Sequence, residues 1–309
     1  MENKFAAVIM AAGKSTRMKS ALPKAAHKIC GKAMARHIID SCLAIGIKNI
    51  VCVVGHEAEK VRNALGEDVA YALQAEQLGT GHAMMQAMPH VKSSNIVVLP
   101  ADTPLITPQA IKTLIETHIA ESHAATLLTA VLQDASHYGR VVRNADGSVL
   151  SICEAKDADA ATLAIKEINT SIYCFDADLL AENLKQLKTD NAQGEYYLTD
   201  VIELLNKAGH RVGAVVAENS SDTLGINNRI ELAEATAVMR RRILDKLMLS
   251  GVTIVDPQTT YIDCDVEIGQ DTIIHPCTII ESGSRIGANC EIGPFARLAG
   301  VTIADNSAR

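Results

Sequence analysis

Tryptophan is missing from the 309-residue chain, and three phenylalanines with six tyrosines bring the aromatic share to only 3%. That scarcity argues against nucleic-acid binding by base stacking and against aromatic sugar platforms, and it leaves the core to aliphatic side chains. Long basic runs are also missing. With 29 Lys+Arg against 36 Asp+Glu the net charge is −7, which makes the chain a poor binder of nucleic acid or an anionic membrane. No stretch approaches ~18 uninterrupted apolar residues, and Met1-Glu2-Asn3-Lys4 carries no basic leader or cleavage site. Neither a signal peptide nor membrane insertion is expected, and the chain reads as cytoplasmic. The eight cysteines are scattered with no C-x-x-C pair, a pattern that suits reduced thiols. Two phosphate-binding signatures fail as well. Gly13-Lys14-Ser15 imitates the end of a Walker A motif, but Val8 stands where that motif needs its first glycine, and no G-x-G-x-x-G occurs.

What is present divides the chain in two. From residue 5 to about 218, short β-rich runs alternate with helical ones: Phe5 to Met10, Asn49 to Val54, Val69 to Leu73, Asn95 to Leu99 and Ala125 to Leu132 read as strands. Helices are expected near Ala33 to Ile45, Gly81 to Met88 and beyond Thr107. Such alternation predicts an α/β domain with a mostly parallel sheet covered on both faces, and ligands at the carboxyl ends of its strands. Asn228 to Ser250, free of Gly and Pro, reads as one long helix stopped by Gly251. The expected domains are therefore 1–228, a linker helix over 229–250, and a repeat region over 251–309.

In that repeat region Ile262, Ile268, Ile274, Ile280, Ile286, Ile292 and Leu298 occupy every sixth position. A six-residue period with one inward aliphatic per unit, often followed by small or turn-prone residues, predicts a left-handed parallel β-helix. Seven units amount to just over two triangular coils.

The chemistry gathers after the first strand, at Ala11-Ala12-Gly13-Lys14-Ser15-Thr16-Arg17-Met18 followed by Leu22-Pro23-Lys24. Small residues at a strand-to-helix turn let a nucleotide lie against the backbone, with Arg17 and Lys24 as nearby cations. This A-A-G-x-x-T-R-M…L-P-K pattern resembles the signature loop of sugar-1-phosphate nucleotidyltransferases. Further segments narrow the resemblance: Gln74-Ala75-Glu76-Gln77-Leu78-Gly79-Thr80-Gly81-His82-Ala83, Tyr138-Gly139-Arg140, Glu167-Ile168-Asn169-Thr170, Gln193 to Asp200, and Gly225-Ile226-Asn227-Asn228-Arg229. In this order, with the long helix and hexads behind them, they resemble the family of bifunctional N-acetylglucosamine-1-phosphate uridyltransferase/glucosamine-1-phosphate acetyltransferases over essentially the entire chain.

The resemblance implies a Rossmann-like nucleotidyltransferase domain and attack by a sugar-1-phosphate oxygen on the α-phosphorus of UTP, releasing pyrophosphate. Two anions must meet, so the site needs fixed cations and a divalent metal more than a strong base. Asp102, just past a strand end, is a hard oxygen ligand suited to Mg²⁺, and Asn227 is the second ligand that the family pattern implies. Arg17 and Lys24 would stabilise charge on the pyrophosphate. Met10, Ala11, Ala12, Gly13, Lys24, Gln74, Gly79, Thr80, Pro100, Ala101 and Asp102 are the implied nucleotide contacts, with the Gln74 amide able to offer both donor and acceptor to uracil. Gly139, Glu154, Asn169 and Asn227 are the implied sugar contacts. His82 fits a structural helix-start role at least as well as catalysis.

Two departures stand out. Ser15 occupies the second glycine of the usual Gly-x-Gly-Thr-Arg, a position that would strain serine by about 1–2 kcal/mol if it requires φ > 0. Ala101 replaces the glycine of a usual Gly-Asp pair. A different sugar-1-phosphate nucleotidyltransferase and a non-catalytic regulatory subunit are the alternative readings. The family's β-helix runs through more coils and builds its acetyl-CoA site within a homotrimer. The sequence therefore predicts a fragment or truncation: uridyl transfer, no acetyl transfer, and mainly monomer.

Overall fold

The computed structural model describes residues 4–135 and 137–309. They form two compact units, one of Met1–Ala26 with Met34–Asn227, the other of His27–Ala33 with Asn228–Arg309. In chain order the elements begin with β1 (Phe5–Ala11), β2 (Lys28–Ile29), β3 (Lys32–Ala33), α1 (Met34–Ala44), β4 (Asn49–Val54) and α2 (Ala58–Leu65). Next come β5 (Ala70–Leu73), α3 (Thr80–Ala87), β6 (Asn95–Pro100), α4 (Pro108–Ala120), β7 (Ala125–Val131), β8 (Arg140–Arg143) and β9 (Val149–Cys153). The first unit closes with α5 (Ala160–Leu163), β10 (Glu167–Asp176), α6 (Ala177–Leu184), α7 (Asp200–Lys207) and β11 (Val212–Val216).

Its sheet runs β11-β7-β10-β6-β1-β4-β5. The pairs β1–β4, β1–β6, β4–β5 and β7–β11 are parallel, as the alternation predicted, while β10 enters antiparallel to both β6 and β7. Phe5 to Ile9 and Ile50 to Val54 are fully or nearly fully buried, because a sheet covered on both faces needs apolar side chains on both sides. Register places Met10 beside Pro100, and the Ala101 amide donates to the Met10 carbonyl at 3.2 Å. The two loops that carry the signature residues therefore leave the sheet side by side. Two features escaped the periodicity. The β8–β9 hairpin joins the sheet with Arg140 opposite Ile168, and β10 slips register between Asn169 and Ile172, with Ser171 at φ 61°.

The second unit opens with α8 (Arg229–Leu249), capped by Asn228, whose Oδ1 accepts from the Ile230 and Glu231 amides at 2.8 and 3.0 Å. Beyond it, β12 (Thr253–Ile254), β13 (Tyr261–Ile262), β14 (Glu267–Ile268), β15 (Ile273–Ile274), β16 (Ile279–Glu281), β17 (Arg285–Ile286), β18 (Glu291–Ile292), β19 (Arg297–Ala299) and β20 (Thr302–Ile303) form three parallel sheets. Their orders, β12-β15-β18, β13-β16-β19 and β14-β17-β20, are the faces of a parallel β-helix. Each face holds three strands, more than the two coils that strict hexads predicted. Ile254 and Ile303 extend the ladder out of period: eight residues separate Ile254 from Ile262 and five separate Leu298 from Ile303. Ile262, Ile274, Ile280, Ile286 and Ile292 are buried along the axis. The β2–β3 hairpin packs within this unit, where the Cys264 amide donates to the Cys30 carbonyl at 3.1 Å. Gly31, at φ +85°, lies so close to Asp263 and Ser282 that a Cβ would stand 2.2 Å from Ser282 Oγ. Among the described residues no helix is long and apolar enough to cross a membrane.

Candidate active site

Every element of the site belongs to the first unit. After β1 the chain turns sharply at Ser15, which adopts φ 51°, ψ 44° with its hydroxyl 3.3 Å from the Gly13 carbonyl oxygen. The glycine-like geometry that the signature loop implied is present, and serine occupies it with its strain. Buried Met18 anchors the short turn Thr16–Met18, and Lys24 opens another at Lys24–Ala26. These turns aim two cations at one point. Arg17 Nη2 and Lys24 Nζ each donate to Asn227 Oδ1 at 3.0 Å, and Lys24 also pairs with Asp102 Oδ2.

Asp102 lies two residues past the end of β6, and Thr103 closes the local turn through its hydroxyl on the Pro100 carbonyl at 3.0 Å, so the carboxylate is not spent as a cap. Its backbone carbonyl accepts from the Ile226 amide at 2.9 Å, bringing Gly225-Ile226-Asn227 alongside. Because Asn228 caps the helix, Asn227 keeps its amide oxygen for the site. A carboxylate and an amide oxygen converging on one ammonium have the hard-donor chemistry and proximity that Mg²⁺ takes from a protein when phosphates and water complete its shell. Among the described residues no group of three or more His, Cys, Asp or Glu surrounds a common point.

Beyond β5, Gln74 is almost wholly buried, and its Nε2 donates to the Gly79 carbonyl at 3.0 Å. The Gly79-Thr80-Gly81 turn is stitched to Tyr196 and Leu198. Tyr196 N donates to Leu78 O at 2.8 Å, Gly81 N to Tyr196 O at 2.7 Å, and Leu198 N to Thr80 Oγ1 at 3.0 Å. A Cβ on Gly79 would come within 2.5 Å of the Tyr196 carbonyl oxygen.

On the other side of Asp102, the bulge in β10 presents Asn169 and Ser171. Asn169 Nδ2 donates to the Tyr173 hydroxyl at 2.7 Å, and its backbone amide to the Gly139 carbonyl at 2.8 Å. Glu154, after β9, accepts from the Thr199 hydroxyl at 3.4 Å. Burial pushes the Glu154 carboxyl above the ordinary range, the Thr199 hydrogen bond opposes that rise, and the charges of Asp157 and Asp200 add to it.

Two adjoining cavities of about 570 Å³ each result. One is lined by all the residues assigned to the nucleotide: Met10 to Gly13, Lys24, Gln74, Gly79, Thr80 and Pro100 to Asp102. The other is lined by Glu154, Asn169 and Asn227 of the sugar set, while Gly139 stands behind them and supports Asn169 and Glu154. Arg17, Pro100, Asp102, Glu154 and Ser171 line both. Sequence reasoning assigned no role to Ser171, Tyr173 or Thr199. Thr199 lies within the Gln193–Asp200 motif and could have been found there, whereas the bulge that exposes Ser171 has no periodic signal.

Residues 7–200 match the family described as the MobA-like NTP transferase domain, and residues 265–300 match the bacterial transferase hexapeptide (six repeats). The chain is 49% identical over 304 residues to the Bifunctional protein GlmU of Brevibacillus brevis, covering 98% of this chain and 66% of that protein. It is 46% identical over 310 residues to the protein of the same name from Halalkalibacterium halodurans, covering 100% of this chain and 68% of the relative. The chain thus spans about two thirds of the length of these relatives. Among solved structures, a UDP-glucose pyrophosphorylase complexed with UDP-glucose superposes with a TM-score of 0.63 at 15% identity, covering 77% of this chain and 99% of that one, a likeness of fold.

Proposed function

The chain belongs to the MobA-like NTP transferase family and to the bifunctional GlmU proteins, and on that premise we propose that its first unit transfers the uridyl group of UTP to N-acetylglucosamine-1-phosphate, releasing pyrophosphate. The observation that carries the reading is the junction of the two cavities. There Asp102 and Arg17 line both spaces, and Lys24 and Asn227 meet them by hydrogen bond. Two phosphates, one from each cavity, would come together at that point.

The residues have separate tasks. Gln74 and the Gly79-Thr80 turn hold the base and ribose. The backbone of Ala11 to Gly13 approaches the nucleotide closely because its side chains are minimal. Arg17 and Lys24 hold negative charge on the leaving pyrophosphate. Glu154 and Asn169 orient the acetamido sugar so that its phosphate faces the nucleotide. Asp102 and Asn227 would hold Mg²⁺, which when bound neutralises phosphate charge so that one anion can attack another. No strong general base is required, because a phosphate oxygen is already nucleophilic at neutral pH.

Turnover of UTP with N-acetylglucosamine-1-phosphate in Mg²⁺, followed by pyrophosphate release, tests the reading. Equal or better turnover of glucose-1-phosphate reassigns the sugar, and failure with both makes the first unit a scaffold. Use of UTP places the reaction in the cytoplasm.

A further inference from the structure

His82 lies in the first turn of α3 and plays no part in the chemistry proposed above. Its Nδ1 is 3.2 Å from Gln74 Nε2, and its Nε2 meets the side-chain amide of Gln86, one helical turn on, at the same distance. The Gln74 nitrogen also lies 3.0 Å from the Gly79 carbonyl oxygen, which can only accept. That contact turns the Gln74 nitrogen toward Gly79, and the nitrogen's two hydrogens are then held jointly, one by Gly79 and one by His82 Nδ1. A ring that accepts at Nδ1 is neutral and carries its proton on Nε2, so the Gln86 amide, whose nitrogen stands 3.2 Å away, turns over to present its oxygen. Turning the Gln74 amide over would set its oxygen against the lone pairs of the Gly79 carbonyl and would require the His82 proton to move to Nδ1. Among the described residues no protein donor meets Gln74 Oε1, and Gln74 lines the nucleotide cavity. The amide therefore offers the base an acceptor and no donor, narrower than the donor-and-acceptor role that the side chain allows in principle.

We propose that His82 is a positioning residue for base selection: it locks the Gln74 amide so that only its oxygen faces the base, admitting a pyrimidine with an N3–H, such as uracil, and rejecting cytosine, whose N3 is a lone pair. The inference rests on the uridyl-transfer reading of the same cavity. A site built to accept a hydrogen bond penalises a ligand that leaves the acceptor facing another lone pair, so the selectivity is a mismatch effect and not a gain of contact.

The test compares kcat/KM for UTP and CTP, each with N-acetylglucosamine-1-phosphate, on the full chain and on His82→Phe and His82→Asn. Phenylalanine keeps a ring of similar size without the acceptor, whereas the Asn Oδ1 can occupy the place of Nδ1. The wild type should favour UTP. His82→Phe should lower the UTP/CTP ratio about three- to tenfold, the size of one neutral hydrogen bond, with KM for the sugar phosphate unchanged. His82→Asn should restore the ratio to within about twofold. Should His82→Phe fail to fold, His82→Leu carries the same comparison. An unchanged ratio in the folded Phe or Leu variant, or no recovery with Asn, overturns the role of His82 and leaves uridyl transfer standing. A wild type that uses CTP as well as UTP overturns the acceptor assignment, and one that uses neither overturns the reading on which it rests.

Discussion

Lys24 and Asp102, far apart in sequence, form an ion pair at the seam between the two cavities, and the same ammonium reaches Asn227 Oδ1 at 3.0 Å. The pair joins the loop after β1 to the loop after β6. It sets a fixed positive charge beside Asp102, which with Glu154 is one of two carboxylates among the described residues that line both cavities. The two acids have different surroundings: Asp102 is compensated by a cation, whereas Glu154 is buried and meets a neutral hydroxyl.

Asp102→Ala should abolish uridyl transfer and leave the fold intact, since the sheet beneath it is built from other residues. The check is turnover at saturating Mg²⁺ together with a thermal melt. Activity within about tenfold of wild type, in a site where such electrostatic groups supply 10²–10³ in rate, contradicts the metal-ligand assignment.

Glu154 carries a pH signature. Its folded-state pKa is raised, so the folded chain holds a proton that the unfolded chain releases. Stability from this group is therefore full at acid pH and declines as pH rises through the window from the ordinary glutamate value to the raised one. Glu154→Gln should remove that decline, raising the melting temperature at neutral pH relative to wild type and less so in acid. Kinetically it should raise KM for the sugar phosphate and leave UTP affinity unchanged. Loss of UTP binding instead would reassign Glu154, which lines both cavities, from the sugar to the nucleotide.

Ser15 stores strain that glycine would not. Ser15→Gly should raise unfolding free energy by up to about 1 kcal/mol, the left-handed penalty offset in part by the extra freedom of unfolded glycine. Denaturant titration of the full chain measures it. A destabilised glycine variant would mean that the weak hydroxyl contact to Gly13 outweighs the backbone term.

Gly79→Ala places a methyl against the Tyr196 carbonyl and asks alanine to hold φ +110°. A loss of at least about 2 kcal/mol is expected from strain and overpacking together, with KM for the nucleotide rising, because the turn that shapes its cavity must open. Unchanged stability would show that the Leu78–Tyr196 stitching yields without consequence.

The parts legible in sequence were those whose physics is periodic or compositional. Phe5 to Met10 and Ile50 to Val54 announce buried parallel strands because their side chains are all apolar, and the hexads announce inward isoleucines. The loop residues that line the nucleotide cavity could be assigned because small side chains and cations cluster in short segments. What escaped was non-local or irregular. No local pattern says that β10 runs against its neighbours or bulges at Ser171, since both follow from pairing with strands far away in sequence. The third coil was hidden because unequal turns displace Ile254 and Ile303 from the six-residue count. The orientation of the Gln74 amide depends on Gly79 and His82 acting together, and residue type alone cannot decide it.

The hairpin at His27–Ala33 sets the order of events during synthesis. It is translated early, yet Asp263, Cys264 and Ser282, against which it packs, are made long after it. At about 5–20 residues per second the ribosome takes roughly ten to fifty seconds to supply them. Throughout that interval Lys28–Ala33 must wait as a two-stranded ribbon too small to be stable alone. Nascent chains arrested near residue 228 should therefore be cut by protease at Cys30-Gly31 and become resistant there only when the β-helix coils have emerged.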